Sequence, residues 1–85
     1  MKVFIPTPLR SYTRHSVVEA NGTTLAEVLL DLERQFPGLR FRMVNEQDHL
    51  REHIKIFVNQ RVAASLSEHI EPHDEVRVIM AISGG

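Results

Sequence analysis

Hydrophobic and polar residues alternate in three short segments of the chain, a pattern typical of strands with one buried face. The clearest segment is Ile54–Val58, which the turn residues Asn59-Gln60 follow. The next clearest is Glu75–Met80. Lys2–Ile5 also has strand propensity, and the two prolines shortly after it prevent regular central-strand pairing, so the pattern predicts a first strand that runs into a loop.

Two weaker segments complete the predicted sheet. Ser16–Ala20 precedes Asn21-Gly22, a pair that tolerates positive φ in a turn, and it is expected to form a long-looped hairpin with the first strand. Val62–Ala64 is a candidate short edge strand, followed by a loop that Leu66 and Ile70 would anchor.

The periodicity becomes helical at Thr24. Thr24 and Glu27 match a capping box, in which the hydroxyl and the carboxylate accept from amides that the first helical turn leaves unpaired. Apolar residues then recur at offsets of three and four and form one stripe: Leu25, Val28, Leu29, Leu32 and Phe36. Pro37-Gly38 ends this helix. Residues 39–53 are mixed, since the first five alternate like a strand and the last five are compatible with a short helical turn.

Helical and extended segments do not alternate along the chain, which favours an antiparallel or mixed sheet over a doubly wound fold. The predicted class is α+β, with four to five strands and one main helix packed on one face. Successive side chains of a strand point to opposite faces, so one phase of the three clearest strands forms the core. That phase consists of Val3, Ile5, Ile54, Ile56, Val58, Val76, Val78 and Met80.

The opposite phase of these strands predicts a partner-docking surface, which we name the sheet-face patch. It consists of Lys2, Phe4, Lys55, Phe57, Arg77 and Ile79. A single helix cannot cover both faces of the sheet, so neighbouring strands would expose three large apolar side chains among cations. Single exposed hydrophobic residues are common, whereas contiguous apolar patches more often mark partner sites.

Composition narrows the candidate functions. The 85 residues are 42% hydrophobic and 25% charged, as in one small globular domain. The formal net charge of -1 gives no bulk electrostatic support for binding nucleic acid or a membrane. The chain has no cysteine, which excludes a disulfide or a thiolate nucleophile. It has neither an apolar run of the roughly 20 residues that span a bilayer nor a signal-peptide core, so a cytoplasmic location is expected.

Catalytic and metal-binding patterns are weak. His49-Leu50-Arg51-Glu52-His53 formally matches the H-x-x-E-H pattern of zinc peptidases, in which both histidines share a helical face. A catalytic zinc ion needs a third ligand and a cleft for its substrate, and so small a core has little room for one. A solvated polar segment is therefore favoured, and no metal is predicted. There is no G-x-S-x-G pattern, and no catalytic residue is expected.

Residues 81–85 are predicted to form a flexible tail after a domain of residues 1–80. The tail consists of Ala81, Ile82, Ser83, Gly84 and Gly85. Its last two residues lack a Cβ, so the strip is thin enough to enter a narrow tunnel in a partner. Adenylation there would make the Gly85 carbonyl electrophilic toward a thiol, a persulfide or an amine. An ordinary frayed terminus is the alternative.

In order and spacing, these elements resemble the ubiquitin-like sulfur carriers of the MoaD/ThiS family, which includes the molybdopterin synthase small subunit and the thiamine sulfur carrier. The resemblance rests on the leading strand, the capped helix, Ile56–Asn59, Asp74–Val76 and the terminal diglycine. Three segments look most like the branch that donates sulfur for cysteine synthesis: Ile5–Arg10, Pro37–Leu39 and Ile56–Asn59. Departures from that branch are a shorter segment at 60–73, Pro72-His73-Asp74 in place of Asp-Gly-Asp, and Met80–Ser83 in place of Pro-Ala-Val-Ala.

The resemblance implies a β-grasp fold and a thiocarboxylate on Gly85, with Gly84 as the slim penultimate residue. It also implies that Phe4, Phe57 and Ile79 contact partners. The implied partners are an E1-like adenylating enzyme, a sulfur donor (a sulfurtransferase or sulfide) and an acceptor such as a cysteine-synthase-like protein, a molybdopterin synthase large subunit or a thiazole synthase. The chain is expected to bind no cofactor, because the activating partner uses the ATP.

Two other functions are compatible with the same residues. A protein modifier would use an activated Gly85 to form an isopeptide bond with a target lysine. An interaction domain with an inert tail would need neither terminal glycine. Within the carrier interpretation, cysteine, molybdopterin, a thiazole and a secondary metabolite all remain possible destinations of the sulfur.

Overall fold

The strands of residues 1–81, the part of the chain that this computed structural model describes, form one mixed five-stranded sheet. They are β1 (Lys2–Phe4), β2 (Val17–Glu19), β3 (Ile54–Val58), β4 (Arg61–Val62) and β5 (Glu75–Met80). Their order is β2-β1-β5-β3-β4; β1 and β5 are parallel and the other neighbours are antiparallel. The α+β class, the strand number and the β1–β2 hairpin are confirmed, whereas β4 lies one residue earlier than predicted and has no residue beyond Val62.

The helices of the described residues are α1 (Arg10–Thr13), α2 (Leu25–Gln35) and α3 (Leu39–Met43). The main helix, α2, begins after Thr24, whose hydroxyl accepts from the Glu27 amide at 3.2 Å. Glu27 accepts from the Thr23 amide at 2.8 Å, so the return bond of the capping box reaches one residue further back than predicted. No helix in residues 1–81 has the length and apolar character needed to span a membrane.

The core lies between α2 and one face of the sheet. The helix contributes Leu25, Val28, Leu29 and Leu32. The predicted core phase of the strands is buried, with the exception of Met80, which is only partly buried at the end of β5. Because α2 covers one face of the sheet, the other face of β1, β5 and β3 remains accessible.

The segment after β1 is more regular than the predicted loop. Thr7–Leu9 form a 3₁₀ turn with a proline near its start, where the missing N–H costs no hydrogen bond. The short helix α1 follows and ends at Arg14, whose φ of 63° is left-handed. Leu9 and Thr13 are buried and hold the segment against the domain. The expectation of a loop is wrong here. The two prolines indicated irregular structure, but the burial of Leu9 and Thr13 stabilises the helical turns.

Residues 39–43 are helical, so their strand-like alternation was misleading. Gly38 adopts a φ of 96°, which favours glycine, and reverses the chain after α2. Glu33 accepts hydrogen bonds from the amides of Gly38 (2.8 Å) and Arg40 (2.9 Å), and these bonds hold the pKa of its carboxyl below the usual value. The buried residues of α3 are Leu39 and Met43, four positions apart.

Residues 49–53 are not helical. His49 and His53 lie in irregular segments on either side of Leu50, which forms an isolated bridge with Val44. The shared helical face on which a zinc-peptidase site depends is therefore not formed. Residues 1–81 contain no group of three or more His, Cys, Asp or Glu side chains placed to hold a metal ion.

Candidate functional site

The sheet-face patch is assembled by the pairing of three adjacent strands. Arg77 of β5 lies opposite Phe4 of β1 and opposite Phe57 of β3, so these three residues form one row across the centre of the sheet. The next row toward the end of β5 contains Ile79 and Lys55. Five of the six predicted patch residues therefore lie together.

The sixth residue, Lys2, lies at the other end of the patch. It pairs in register with Glu75 of β5 and with Glu19 of β2. Its charge is next to two carboxylates, whereas Lys55 and Arg77 lie in rows without an acidic residue. The electropositive part of the patch is thus its half nearer the end of β5.

Two further apolar residues continue the central row to both edges of the sheet. Val17 of β2 pairs with Phe4, and Val62 of β4 pairs with Phe57. Both valines are exposed, as is Ile79, while the two phenylalanines are partly exposed. Sequence reasoning missed the valines because their place in the row depends on strand order and register. Their outward phase is the local signal that could have found them.

A cation–π contact organises the centre of the patch. The guanidinium carbon of Arg77 lies 4.1 Å from the centroid of the Phe4 ring. Such stacking is worth about 0.5–1 kcal/mol at an exposed site and limits the motion of both side chains. Within residues 1–81 Arg77 forms no ion pair, so its charge remains available to a partner.

The patch borders a groove of about 550 Å³, which we call the β1 groove. It opens where β1 stops at Phe4 while β5 continues to Met80. Its lining includes Pro6 and Arg10 from the segment after β1 and Ile79 from β5. Because proline has no N–H to donate, the chain after β1 does not extend the ladder with β5.

The start of β5 is fixed by side-chain hydrogen bonds that we call the Asn59–Asp74 clamp. Asn59 has a φ of 56°, and its side chain donates to Asp74 (3.0 Å) and accepts from the Glu75 amide (3.0 Å). Asp74 also accepts from the Glu71 amide at 2.8 Å. The bond from Glu71, followed by that from Asn59, holds the pKa of Asp74 below its usual value. The clamp sets the register that places Arg77 opposite Phe57.

The predicted tail begins at the opposite end of β5. Ala81 is exposed, and its amide donates to the His53 carbonyl at 2.9 Å, so pairing between β3 and the last strand continues for one residue past β5. The other predicted tail residues lie outside the described residues: Ile82, Ser83, Gly84 and Gly85. The central strand therefore leads from the sheet-face patch to the diglycine segment.

Comparisons with known proteins agree with this architecture. The ThiS family model matches residues 3–85. The sulfur carrier protein CysO of Mycobacterium tuberculosis is 34% identical over 89 residues, which cover 98% of this chain and 96% of that protein. A chain in the crystal structure of the Amycolatopsis orientalis BexX/CysO complex superposes with a TM-score of 0.91 at 32% identity, covering 99% of this chain and 98% of that one.

A further solved structure extends the similarity to an archaeal protein. SAMP1 of Haloferax volcanii, small archaeal modifier protein 1, superposes with a TM-score of 0.81 at 26% identity. The alignment covers 100% of this chain and 98% of SAMP1. The predicted β-grasp, ubiquitin-like fold and the resemblance to sulfur carriers are both confirmed. The chain belongs to the ThiS family and is a homologue of the CysO sulfur carrier proteins.

Proposed function

We propose that this chain carries sulfur as a thiocarboxylate on Gly85 and donates it to a biosynthetic acceptor held by another protein. One observation carries the proposal: β5 holds Arg77 and Ile79 of the patch and leads into Gly84-Gly85, within a family match that extends to residue 85. A partner bound to the sheet face would therefore lie beside the start of the reactive segment.

The chemistry requires two steps on the Gly85 carboxylate. A carboxylate oxygen first attacks the α-phosphorus of ATP and releases pyrophosphate, which gives an acyl adenylate. A sulfide sulfur then attacks the carbonyl carbon and expels AMP, which leaves a thiocarboxylate. Both steps take place on partner enzymes in this proposal, and the carrier supplies the docking surface, a narrow tail and the carboxylate. The carrier is thus a non-catalytic co-substrate without a cofactor of its own, and it acts in the cytoplasm.

The proposed partners are the proteins needed for the steps that the carrier does not catalyse. An E1-like adenylating enzyme activates Gly85, a sulfurtransferase or free sulfide supplies the sulfur, and an acceptor enzyme consumes it. If the donor is a sulfurtransferase persulfide, it attacks the adenylate carbonyl and expels AMP, and a thiol then cleaves the acyl disulfide to leave the thiocarboxylate and a disulfide. The described residues support partner docking, because the sheet-face patch presents aromatic, aliphatic and cationic side chains. The similarity to a chain of the BexX/CysO complex supports it further, since that structure shows a protein complex of a homologue. Similarity to CysO favours cysteine synthesis as the destination.

Intact mass spectrometry tests the proposal. The chain with Gly85 as its last residue is incubated with ATP, sulfide and the adenylating enzyme of the same organism. We expect a mass increase equal to replacement of one oxygen by sulfur. A variant with one alanine added after Gly85 is the matched control and should stay unmodified. An unchanged mass of the wild-type chain, with an enzyme that thiocarboxylates another carrier, would contradict the proposal.

The similarity to small archaeal modifier protein 1 favours a second candidate, a protein modifier. In that case a lysine amine would attack the same acyl adenylate and expel AMP, forming an isopeptide bond. Immunoblots of cell extract would then show high-mass adducts that disappear when Gly85 is deleted. Their absence, together with a detectable thiocarboxylate, would leave the carrier function alone.

A further inference from the structure

The arginine and lysine side chains differ in how the fold neutralises them. Arg34, Arg40 and Arg61 form ion pairs with carboxylates. Within residues 1–81, the remaining cations form no ion pair: Lys2, Arg10, Arg14, Arg42, Arg51, Lys55 and Arg77. Lys2, Lys55 and Arg77 belong to the sheet face, whereas Arg42 and Arg51 lie beside Met80 on the other side of β5. The sheet-face patch does not account for this second group.

Two grooves meet at Met80, the last residue of β5. The first is the β1 groove, which Arg10 and Arg77 line. The second has a volume of about 300 Å³, and we call it the α3 groove. It is lined by Phe41, Arg42, Arg51, His53 and Met80. No carboxylate of the described residues lines either groove, so the chain leaves β5 between two electropositive surfaces.

Packing of the core does not explain why an aromatic residue, Phe41, lies in the α3 groove. The side chain of Phe41 is 55% exposed, because α3 uses Leu39 and Met43 for its contacts with the core. The guanidinium carbon of Arg51 lies 4.6 Å from the centroid of the Phe41 ring. Arg51 is held there by a 2.8 Å hydrogen bond from its Nε to the Phe41 carbonyl. The aromatic ring and the cation are thus arranged for contact before any partner arrives.

We propose that the α3 groove is a second docking site and that it binds a carboxylate-bearing segment of the adenylating enzyme. This inference rests on the proposed function. Charge complementarity identifies the occupant, because Arg42 and Arg51 present two cations without an acidic neighbour among the lining residues. The exposed Phe41 ring adds an apolar contact of the kind found at the centre of protein interfaces. An enzyme that receives the tail lies next to Met80 and contacts both grooves.

ATP–pyrophosphate exchange measures the effect of this contact on activation of Gly85. The double variant Phe41→Ala/Arg42→Gln should raise the KM for the chain by about tenfold or more, with little change in kcat, because only docking is weakened. Leu30→Ala/Arg34→Gln is the matched control, since it also removes an exposed apolar residue and an arginine from a helix. It should leave KM within about twofold of wild type. Thermal unfolding of both variants verifies that they are folded.

The salt dependence of the KM and the exchange activity of the wild-type chain distinguish failure of this inference from failure of the proposed function. The effect of Arg42→Gln alone should shrink as salt is added, because screening weakens a contact between charges. An unchanged KM in the Phe41/Arg42 variant, with normal exchange by wild type, would overturn the α3 groove as a docking site and leave the proposed function intact. If the increase in KM caused by Arg42→Gln did not depend on salt, a carboxylate would be excluded as the occupant of the α3 groove. No exchange with the wild-type chain would overturn the proposed function and this inference with it.

Discussion

The two faces of β1, β3 and β5 share one backbone ladder but have opposite roles. On the inner face, side chains such as Ile56 and Val76 are fully buried against α2. On the outer face, Phe4, Phe57 and Ile79 remain at least partly accessible beside cations. The position of the main helix, α2, on one face of the sheet accounts for the difference. The inner face therefore provides the stability of the fold, and the outer face is available for recognition.

The exposed apolar residues of the outer face favour unwanted association, and their presence therefore supports a docking role for that face. An exposed apolar row across all five strands favours association with other chains, and soluble domains usually avoid such surfaces. The row extends from Val17 through Phe4 and Phe57 to Val62, with Arg77 at its centre. The exposed Arg77 side chain places a charge in the middle of the row. A docking function explains why large apolar residues occupy positions that contribute little to the core.

The largest expected effect on stability is on the inner face. Ile56→Ala should lower the free energy of unfolding by about 2–5 kcal/mol, because it leaves a cavity beneath α2. Urea unfolding monitored by circular dichroism measures this loss. The matched control is Ile79→Ala on the outer face of the adjacent strand, where the expected loss is below about 1 kcal/mol. Equal losses at the two positions would contradict the assignment of the faces.

A large effect on partner binding is expected from a substitution on the outer face. Phe57→Ala should raise the KM for the chain in ATP–pyrophosphate exchange by about 30-fold, equivalent to about 2 kcal/mol, since aromatic residues at the centre of an interface contribute strongly to affinity. The control is Lys2→Ala, at the end of the patch beside Glu75 and Glu19. It should change the KM less than Phe57→Ala does. A larger effect at Lys2 than at Phe57 would place the contact elsewhere on the sheet.

Local patterns predicted the elements whose periodicity agrees with their final environment. The inner phase of β3 and β5 could be assigned because alternation in a half-covered sheet repeats every two residues. The start of α2 could be assigned because Thr24 supplies a cap. The alternation of Leu39, Phe41 and Met43 fits a strand equally well, and only the turn at Gly38 and the bonds to Glu33 make that segment helical.

The candidate site likewise has one part that the sequence predicted and another that only the fold reveals. Phase alone selected the members of the sheet-face patch, but the order of the strands, which makes Arg77 the neighbour of Phe4 and Phe57, depends on contacts between distant segments. The α3 groove was not predicted, because Phe41, Arg51 and Met80 belong to three separate segments that only the fold brings together. The terminal diglycine suggested that Gly85 is activated, and the family resemblance added the thiocarboxylate. Both remain proposals because that residue lies outside the described part of the chain.

A smaller effect on stability is expected at the start of β5, where Asp74 belongs to both the core boundary and the clamp. Asp74→Asn should cost about 1–3 kcal/mol at neutral pH, because an amide presents a donor where the carboxylate accepts from Glu71 and Asn59. The folded-state pKa of Asp74 lies below its unfolded value, so its contribution is present above about pH 4 and is lost as the pH falls through the folded-state pKa.

Urea unfolding at several pH values verifies this behaviour. The difference in unfolding free energy between wild type and Asp74→Asn should narrow as the solution is acidified. The other carboxylates are the same in both proteins, so their contributions cancel in the difference. A difference that stays constant from neutral to acid pH would show that the ionised Asp74 carboxylate does not stabilise the clamp.

The smallest effect on stability is expected at the centre of the outer face. A double-mutant cycle of Arg77→Ala and Phe4→Leu should give a coupling energy of about 0.5–1 kcal/mol, the value of an exposed cation–π contact. Arg77→Lys keeps the charge but loses the planar stacking group, so it should retain only part of that coupling. A coupling above about 2 kcal/mol would make the outer face a contributor to stability comparable to the inner one. That result would weaken the reason for assigning its apolar residues to a partner, because the fold itself would then require them.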